Sequence, residues 1–183
     1  MRYFVGFLIT VGLLFLLVIL LLTNAGKPAK ITPKTLDSYA STDAVTSLTT
    51  DGPINAESLH QQIRISVDRD TVTYEQTQGY NGSVVNTQTF ANNQNAYSAF
   101  LHALAHSGFT RGDTSKALSN ETGVCPLGSR YIFQLDQGDK TIQRFWATSC
   151  GNPKTYKGNL NTTLRLFQVQ VPGYSDLVNN LDI

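Results

Sequence analysis

Apolar and polar positions divide the chain into three regimes. From Tyr3 to Leu22, twenty residues run without a charge and are dominated by Phe, Leu, Ile and Val. At about 1.5 Å per residue, a helix of that length spans roughly 30 Å, the thickness of a bilayer's hydrocarbon core. The pattern predicts a transmembrane signal anchor over residues 1–23. The apolar run exceeds the roughly 7–15 residues of a cleaved signal peptide. From residue 24 to 58 apolar periodicity is weak. Thr, Ser, Ala, Asp, Lys and Pro recur, as in Lys30-Ile31-Thr32-Pro33-Lys34, so this stretch is expected to be a flexible linker.

The third regime, residues 59–183, carries the periodicities of a folded domain. Ile63, Ile65 and Val67 alternate with Arg64 and Ser66, the period of a half-buried strand. Thr71-Val72-Thr73-Tyr74 reads as its returning partner. Gly79-Tyr80-Asn81-Gly82 is a turn signal, and Ser83 to Phe90 forms a third strand. Tyr97, Phe100, Leu101 and Leu104 then fall on one helical stripe. Asn93 or Asn95 is placed to cap it, and Gly108 to end it.

Beyond the helix, Arg130 to Leu135 and Lys140 to Ser149 read as a hairpin. With its tip at Gln137-Gly138, paired residue numbers sum to 275, which sets Phe133 against Ile142 and Leu135 against Lys140. One face then collects Tyr131, Phe133, Leu135, Ile142 and Trp146. The same register sets Cys125 opposite Cys150. A short segment after Thr162 and a terminal helix near Tyr174, Leu177 and Val178 complete the order. The expected fold class is α+β: a transmembrane helix, then a small domain with an antiparallel sheet of about five strands and two helices on one face.

Composition narrows the function classes. Net charge is +1 and only 15% of residues are charged, against about 25% in ordinary domains. Nucleic acid is not an expected partner. Positive charge concentrates in Arg130, Lys140, Arg144, Lys154 and Lys157, a candidate partner surface for a protein or an anionic envelope polymer. Lys27, Lys30 and Lys34 follow the apolar run and Arg2 precedes it, so flanking charge does not assign orientation. The paired cysteines do: they imply an oxidising compartment. The expected location is the plasma membrane, single-pass, with the C-terminal domain extracytoplasmic.

Candidate chemistry is sparse. His102 and His106 are spaced i, i+4 but fall opposite the apolar stripe, and His60 sits at the linker junction. No metal-ligand set, phosphate loop or nucleophile elbow is present, so no catalytic residue, metal or cofactor is assigned. Arg111-Gly112-Asp113 spells an integrin-recognition tripeptide, although Gly112 and Asp113 serve equally to turn the loop.

The sequences Cys125-Pro126-Leu127-Gly128-Ser129-Arg130-Tyr131, Trp146 to Gly151 and Leu166 to Tyr174 resemble membrane-anchored surface proteins of small-genome, Saccharibacteria-type bacteria. That resemblance carries no activity; it implies an envelope location and a binding or structural role. The expectation is therefore a membrane-tethered extracytoplasmic non-enzymatic module, leaning away from an enzyme. The alternatives are an envelope hydrolase with a dispersed site and a protease-inhibitor-like domain.

Overall fold

The computed structural model describes Gly6, residues 12–16, Ile19, residues 35–181 and Ile183. The chain divides into two units, Met1–Lys34 and Thr35–Ile183. In the first, the described residues are helical and exposed. The transmembrane helix expected over Tyr3 to Leu22 lies mostly outside the described residues. Among those described, no helix is long and apolar enough to cross a membrane. The expected fold class is corrected accordingly: the described residues form an α+β fold with no membrane-spanning helix among them.

The second unit is built on one antiparallel sheet of six strands rather than about five. They are β1 (Ala44–Asp51), β2 (Gln61–Val67), β3 (Thr71–Gln78), β4 (Ser83–Ala91), β5 (Arg130–Gln137) and β6 (Lys140–Thr148), in spatial order β4-β3-β2-β1-β5-β6. Three α-helices accompany them, α1 (Gln94–Ser107), α2 (Leu160–Gln168) and the short α3 (Tyr174–Val178). The additional strand is β1, and it lies inside the stretch expected to be linker. It pairs with β2 on one side and β5 on the other, with Leu48 opposite both Ile65 and Phe133. Its sequence, Ala-Val-Thr-Ser-Leu-Thr-Thr-Asp, hides the strand. Thr46, Ser47 and Thr50 are buried although polar, and Thr46 Oγ1 donates to Val67 O at 3.2 Å. Hydroxyls satisfied by neighbouring backbone permit a polar sequence at the centre of a sheet.

The register places Leu48, Ile63, Ile65, Val67, Val72, Tyr74, Phe133, Leu135, Phe145 and Ala147 on one face. There they join Tyr97, Phe100, Leu101 and Leu104 of α1 and Phe167 of α2 in a single core. The stripe expected of α1 is the stripe it buries. Asn93 caps the helix, its side chain accepting from Ala96 N at 3.0 Å. Gly108 closes it in the left-handed conformation, φ 82°, which a Cβ would disfavour. Phe109 turns back to donate its N–H to Leu104 O and is fully buried. Its ring lies 6.3 Å from Phe133 and 6.1 Å from Phe167. Burial pushes the Tyr97 hydroxyl up to about 12, so it stays protonated and donates to Ala44 O at 2.8 Å.

The β5–β6 register differs from the expected one. Tyr131 faces Ala147 and Phe133 faces Phe145, whereas nearer the tip Gln137 faces Lys140. The turn is the two-residue Gly138-Asp139. A bulge at Leu135/Asp136 leaves Ile142 without a cross-strand partner and 38% exposed. A bulge adds one residue to one strand, so every side chain beyond it changes face. Phe145 and Ala147 therefore occupy the core, and Trp146 lies on the opposite face beside Ile132, its indole N–H donating to Leu118 O at 2.8 Å.

Cys125 and Cys150 are bonded, with Cα atoms 5.8 Å apart. The expected proximity holds by another route than the expected register. The ladder extends to Ser149 N donating to Ser129 O, which sets Cys150 near Gly128. A turn closed by Gly128 N and Cys125 O, 3.0 Å, brings Cys125 back to it. A Cβ on Gly128 would lie 2.7 Å from Cys125 Sγ and 2.3 Å from Ser149 Oγ, so the bond needs glycine there. Replacing both cysteines by Ala is expected to cost about 2–4 kcal/mol, read from the denaturant midpoint. A loss under about 0.5 kcal/mol, the scatter of ordinary surface changes, would show that the bond does not hold this corner.

Candidate functional site

The face of the sheet away from the helices is polar. Thr49, Asp51, Gln62, Arg64, Thr73, Glu75, Thr77 and Gln134 project from it, as the alternation of the strands requires. The chain segment between α1 and β5 covers one side of this face through Leu118 and Glu121. At the end where β1 stops, a cleft of about 410 Å³ opens between that segment, the β1–β2 connection and the β3–β4 turn. A space of this size suits a small ligand or part of a polymer.

The charged side chains of Asp51 and Arg130 meet the His60 ring in the cleft wall. Asp51, the last residue of β1, accepts from Arg130 Nε at 2.8 Å and lies 2.7 Å from Arg130 Nη2 through Oδ2. Its other oxygen lies 2.9 Å from His60 Nε2. That approach lacks hydrogen-bond alignment, and Oδ1 carries no hydrogen bond. The Arg130 and His60 side chains are 3% and 5% exposed and Asp51 19%. Arg130 also donates to Gly52 O at 2.6 Å. These bonds compensate the guanidinium for water it has lost, which burial of a charge demands.

His60 is fixed on every side. Its Nδ1 lies 3.0 Å from Pro53 O. A carbonyl only accepts, so Nδ1 carries a proton. With Nε2 turned to a carboxylate, both ring nitrogens face protein acceptors. Tyr80 stacks on the imidazole, ring centroids 4.1 Å apart and planes 12° from parallel. The Tyr80 hydroxyl donates to Asn55 O at 2.9 Å and accepts from Asn55 N at 3.1 Å. Despite these restraints Tyr80 is 54% exposed, as is Ile54 at 41%. The cleft thus presents a rigid aromatic ring and an aliphatic side chain beside the uncharged Gln62, Thr77 and Thr122. Glu121, also in the lining, receives both terminal nitrogens of Arg144, Nη1 at 2.9 Å.

The five basic residues expected to form one partner surface are dispersed. Arg130 is buried against Asp51, which corrects its assignment to an exposed surface. Arg144 is tied to Glu121. Lys140 stands at the hairpin tip, at the far end of a nine-residue strand from the segment holding Lys154 and Lys157. Thr155 and Tyr156 bond to Trp146, so about six residues of strand at about 3.4 Å each, roughly 20 Å, separate that segment from Lys140. His102 and His106 are exposed on α1 with ring centroids 4.4 Å apart. Among the described residues, no group of three His, Cys, Asp or Glu side chains comes together to hold a metal. Arg111-Gly112-Asp113 is not a free loop tip. Gly112 bridges to Tyr156, Lys157 N donates to Arg111 O and Asp113 N to Thr155 O. The N–H of Ser115 holds the Asp113 carboxyl below its ordinary range.

Sequence reading missed Asp51, His60, Tyr80 and Glu121 as a group. Asp51 fell in the expected linker and Tyr80 in an expected turn, so no spacing rule joined them. No family model matches the chain, and no curated protein matches it.

Proposed function

We propose that this chain is an extracytoplasmic, non-enzymatic binding module that seats an uncharged polar ligand, such as a segment of an envelope polymer, in the cleft beside Tyr80. The observation that carries this reading is the pairing of the charges in the cleft wall, Asp51 with Arg130 and Glu121 with Arg144, around an exposed aromatic ring held rigid by His60 and Asn55. Paired charges exert little pull on an ion. A pre-ordered ring offers contact area at small entropic cost. A hydrolase is disfavoured because both nitrogens of His60 face protein acceptors and both cysteines are in the disulfide. The disulfide supports an oxidising compartment. The resemblance at Cys125–Tyr131 and Leu166–Tyr174 supports a bacterial envelope as the setting.

The test is saturable binding of the full chain to fractionated envelope polymers, compared with Tyr80→Ala and with Lys140→Ala at the distant hairpin tip. Tyr80→Ala is expected to weaken binding about tenfold or more, as removal of a central aromatic anchor does, and Lys140→Ala to leave it unchanged. Equal losses from both variants, or turnover of ester, peptide or glycoside probes abolished by His60→Ala, would refute the reading.

A further inference from the structure

The cleft beside Tyr80 continues over the polar face of the sheet. A second cavity of about 210 Å³ adjoins it, sharing Asp51, Gln62 and Glu121 and reaching along β1 and β5 to Thr49 and Gln134. The floor is a row of side chains that crosses the strands: Thr77 pairs with Gln62, and Gln62 with Asp51. At about 4.8 Å between strands the row is roughly 10 Å long. Thr77 Oγ1 is shielded from solvent yet has no hydrogen-bond partner, which a hydroxylated ligand seated on it would supply. From the Arg130 end of this row to Gln134 is a further four residues of β5, roughly 14 Å at about 3.4 Å each.

The walls limit what can fill this path. The strands β1, β2 and β5 each have a neighbour on both sides, so a peptide finds no strand edge on this floor to extend. The arginines of the lining, Arg130 and Arg144, already hold Asp51 and Glu121, so an anionic polymer finds no unpaired guanidinium. The second cavity offers Ile132 as its one aliphatic side chain among polar ones, too little for a lipid chain. The lining thus offers amides, hydroxyls, paired ions and one open aromatic face. His60 covers one side of the Tyr80 ring, which is still 54% exposed. A sugar unit matches that set: its C–H groups form a flat apolar face for an aromatic ring, and its hydroxyls both donate and accept at the rim. We propose that the cleft is a glycan site with two subsites. One unit lies on Tyr80, and the chain continues over Gln62 to a second position at Thr49 and Gln134. This rests on the cleft beside Tyr80 being the binding site, and adds the chemical class of the ligand and the requirement for a chain of linked units rather than a single ring.

The experiment titrates the full chain calorimetrically with neutral linear oligosaccharides, the glucose and N-acetylglucosamine series, from monosaccharide to tetrasaccharide. In at least one series the tetrasaccharide is expected to bind about tenfold more tightly than the disaccharide. Gln134→Ala and the near-isosteric Thr49→Val are expected to remove most of that gain, and Tyr80→Ala to weaken binding at every length. Lys140→Ala, at the distant hairpin tip, is expected to change nothing. Thermal midpoints near the parent's establish that each variant is folded. Absence of saccharide binding overturns the glycan assignment; if an envelope polymer still binds through Tyr80, the cleft stands as a site for other chemistry. Equal affinity at every length, or a gain indifferent to both Gln134→Ala and Thr49→Val, removes the second subsite and with it the proposal. Saccharide binding indifferent to Tyr80→Ala refutes the cleft as the site.

Discussion

A chain beginning at Leu59, where sequence periodicity places the start of the domain, will not fold cooperatively, whereas one beginning at Thr35 will. The shorter chain lacks β1. The strands β2 and β5 are not neighbours; each pairs with β1. Without it the sheet separates into a three-stranded piece and a hairpin, and Ile63, Ile65 and Phe133 lose the Leu48 row that lies between them. Both ladders of a central strand and the burial that goes with them exceed the roughly 5–15 kcal/mol by which a domain of this size is stable. Near-UV circular dichroism and calorimetry decide the matter. The chain from Leu59 should show neither fixed aromatic signals nor a heat-absorption peak. The chain from Thr35 retains the buried turn at Leu36–Tyr39 and should show both. A sharp transition in residues 59–183 alone would mean that β1 is dispensable.

Replacing Asp51 by Ala is expected to destabilise the domain by about 3 kcal/mol, toward the lower end of what loss of one partner from a buried ion pair costs, because Asp51 keeps some contact with water. The penalty comes from what remains. Arg130 and His60 stay buried with their shared carboxylate gone, and Gly52 O and Pro53 O are each only one partner. Arg130→Met together with Asp51→Ala should therefore cost less than the two single changes added, a coupling measurable in a double-mutant cycle. Denaturant midpoints at constant m-value supply the numbers. If Asp51→Ala stays within about 0.5 kcal/mol of the parent, the range of ordinary surface changes, the cluster is not what holds this end of the sheet. The variant also connects stability to ligand capture, because Tyr80 rests on the imidazole that Asp51 faces.

Local signals were enough wherever one short segment determines its own conformation. The stripe Tyr97, Phe100, Leu101 and Leu104, the Asn93 cap and the Gly108 terminus form one helix whose period and ends are written in neighbouring residues. The alternation of Ile63, Ile65 and Val67 and the turn glycines Gly79 and Gly82 likewise defined a hairpin edge to edge. The nearness of Cys125 to Cys150 was also legible from the hairpin between them, although the observed register sets Cys150 by Gly128 and a turn at Cys125–Gly128 completes the approach. What the tertiary structure alone decided concerns residues whose partners are far along the chain. The threonines of β1 look like linker until Val67 and Phe133 flank them. The side on which Trp146 falls depends on one bulge at Ile142, a change of a single residue that no composition reveals. Asp51, His60, Tyr80 and Arg130 become a site because β1 ends where β5 begins and the β3–β4 turn leans over both. Charges in such a cluster are selected for one another across up to 79 positions of sequence, and pattern within a short window carries no trace of that pairing.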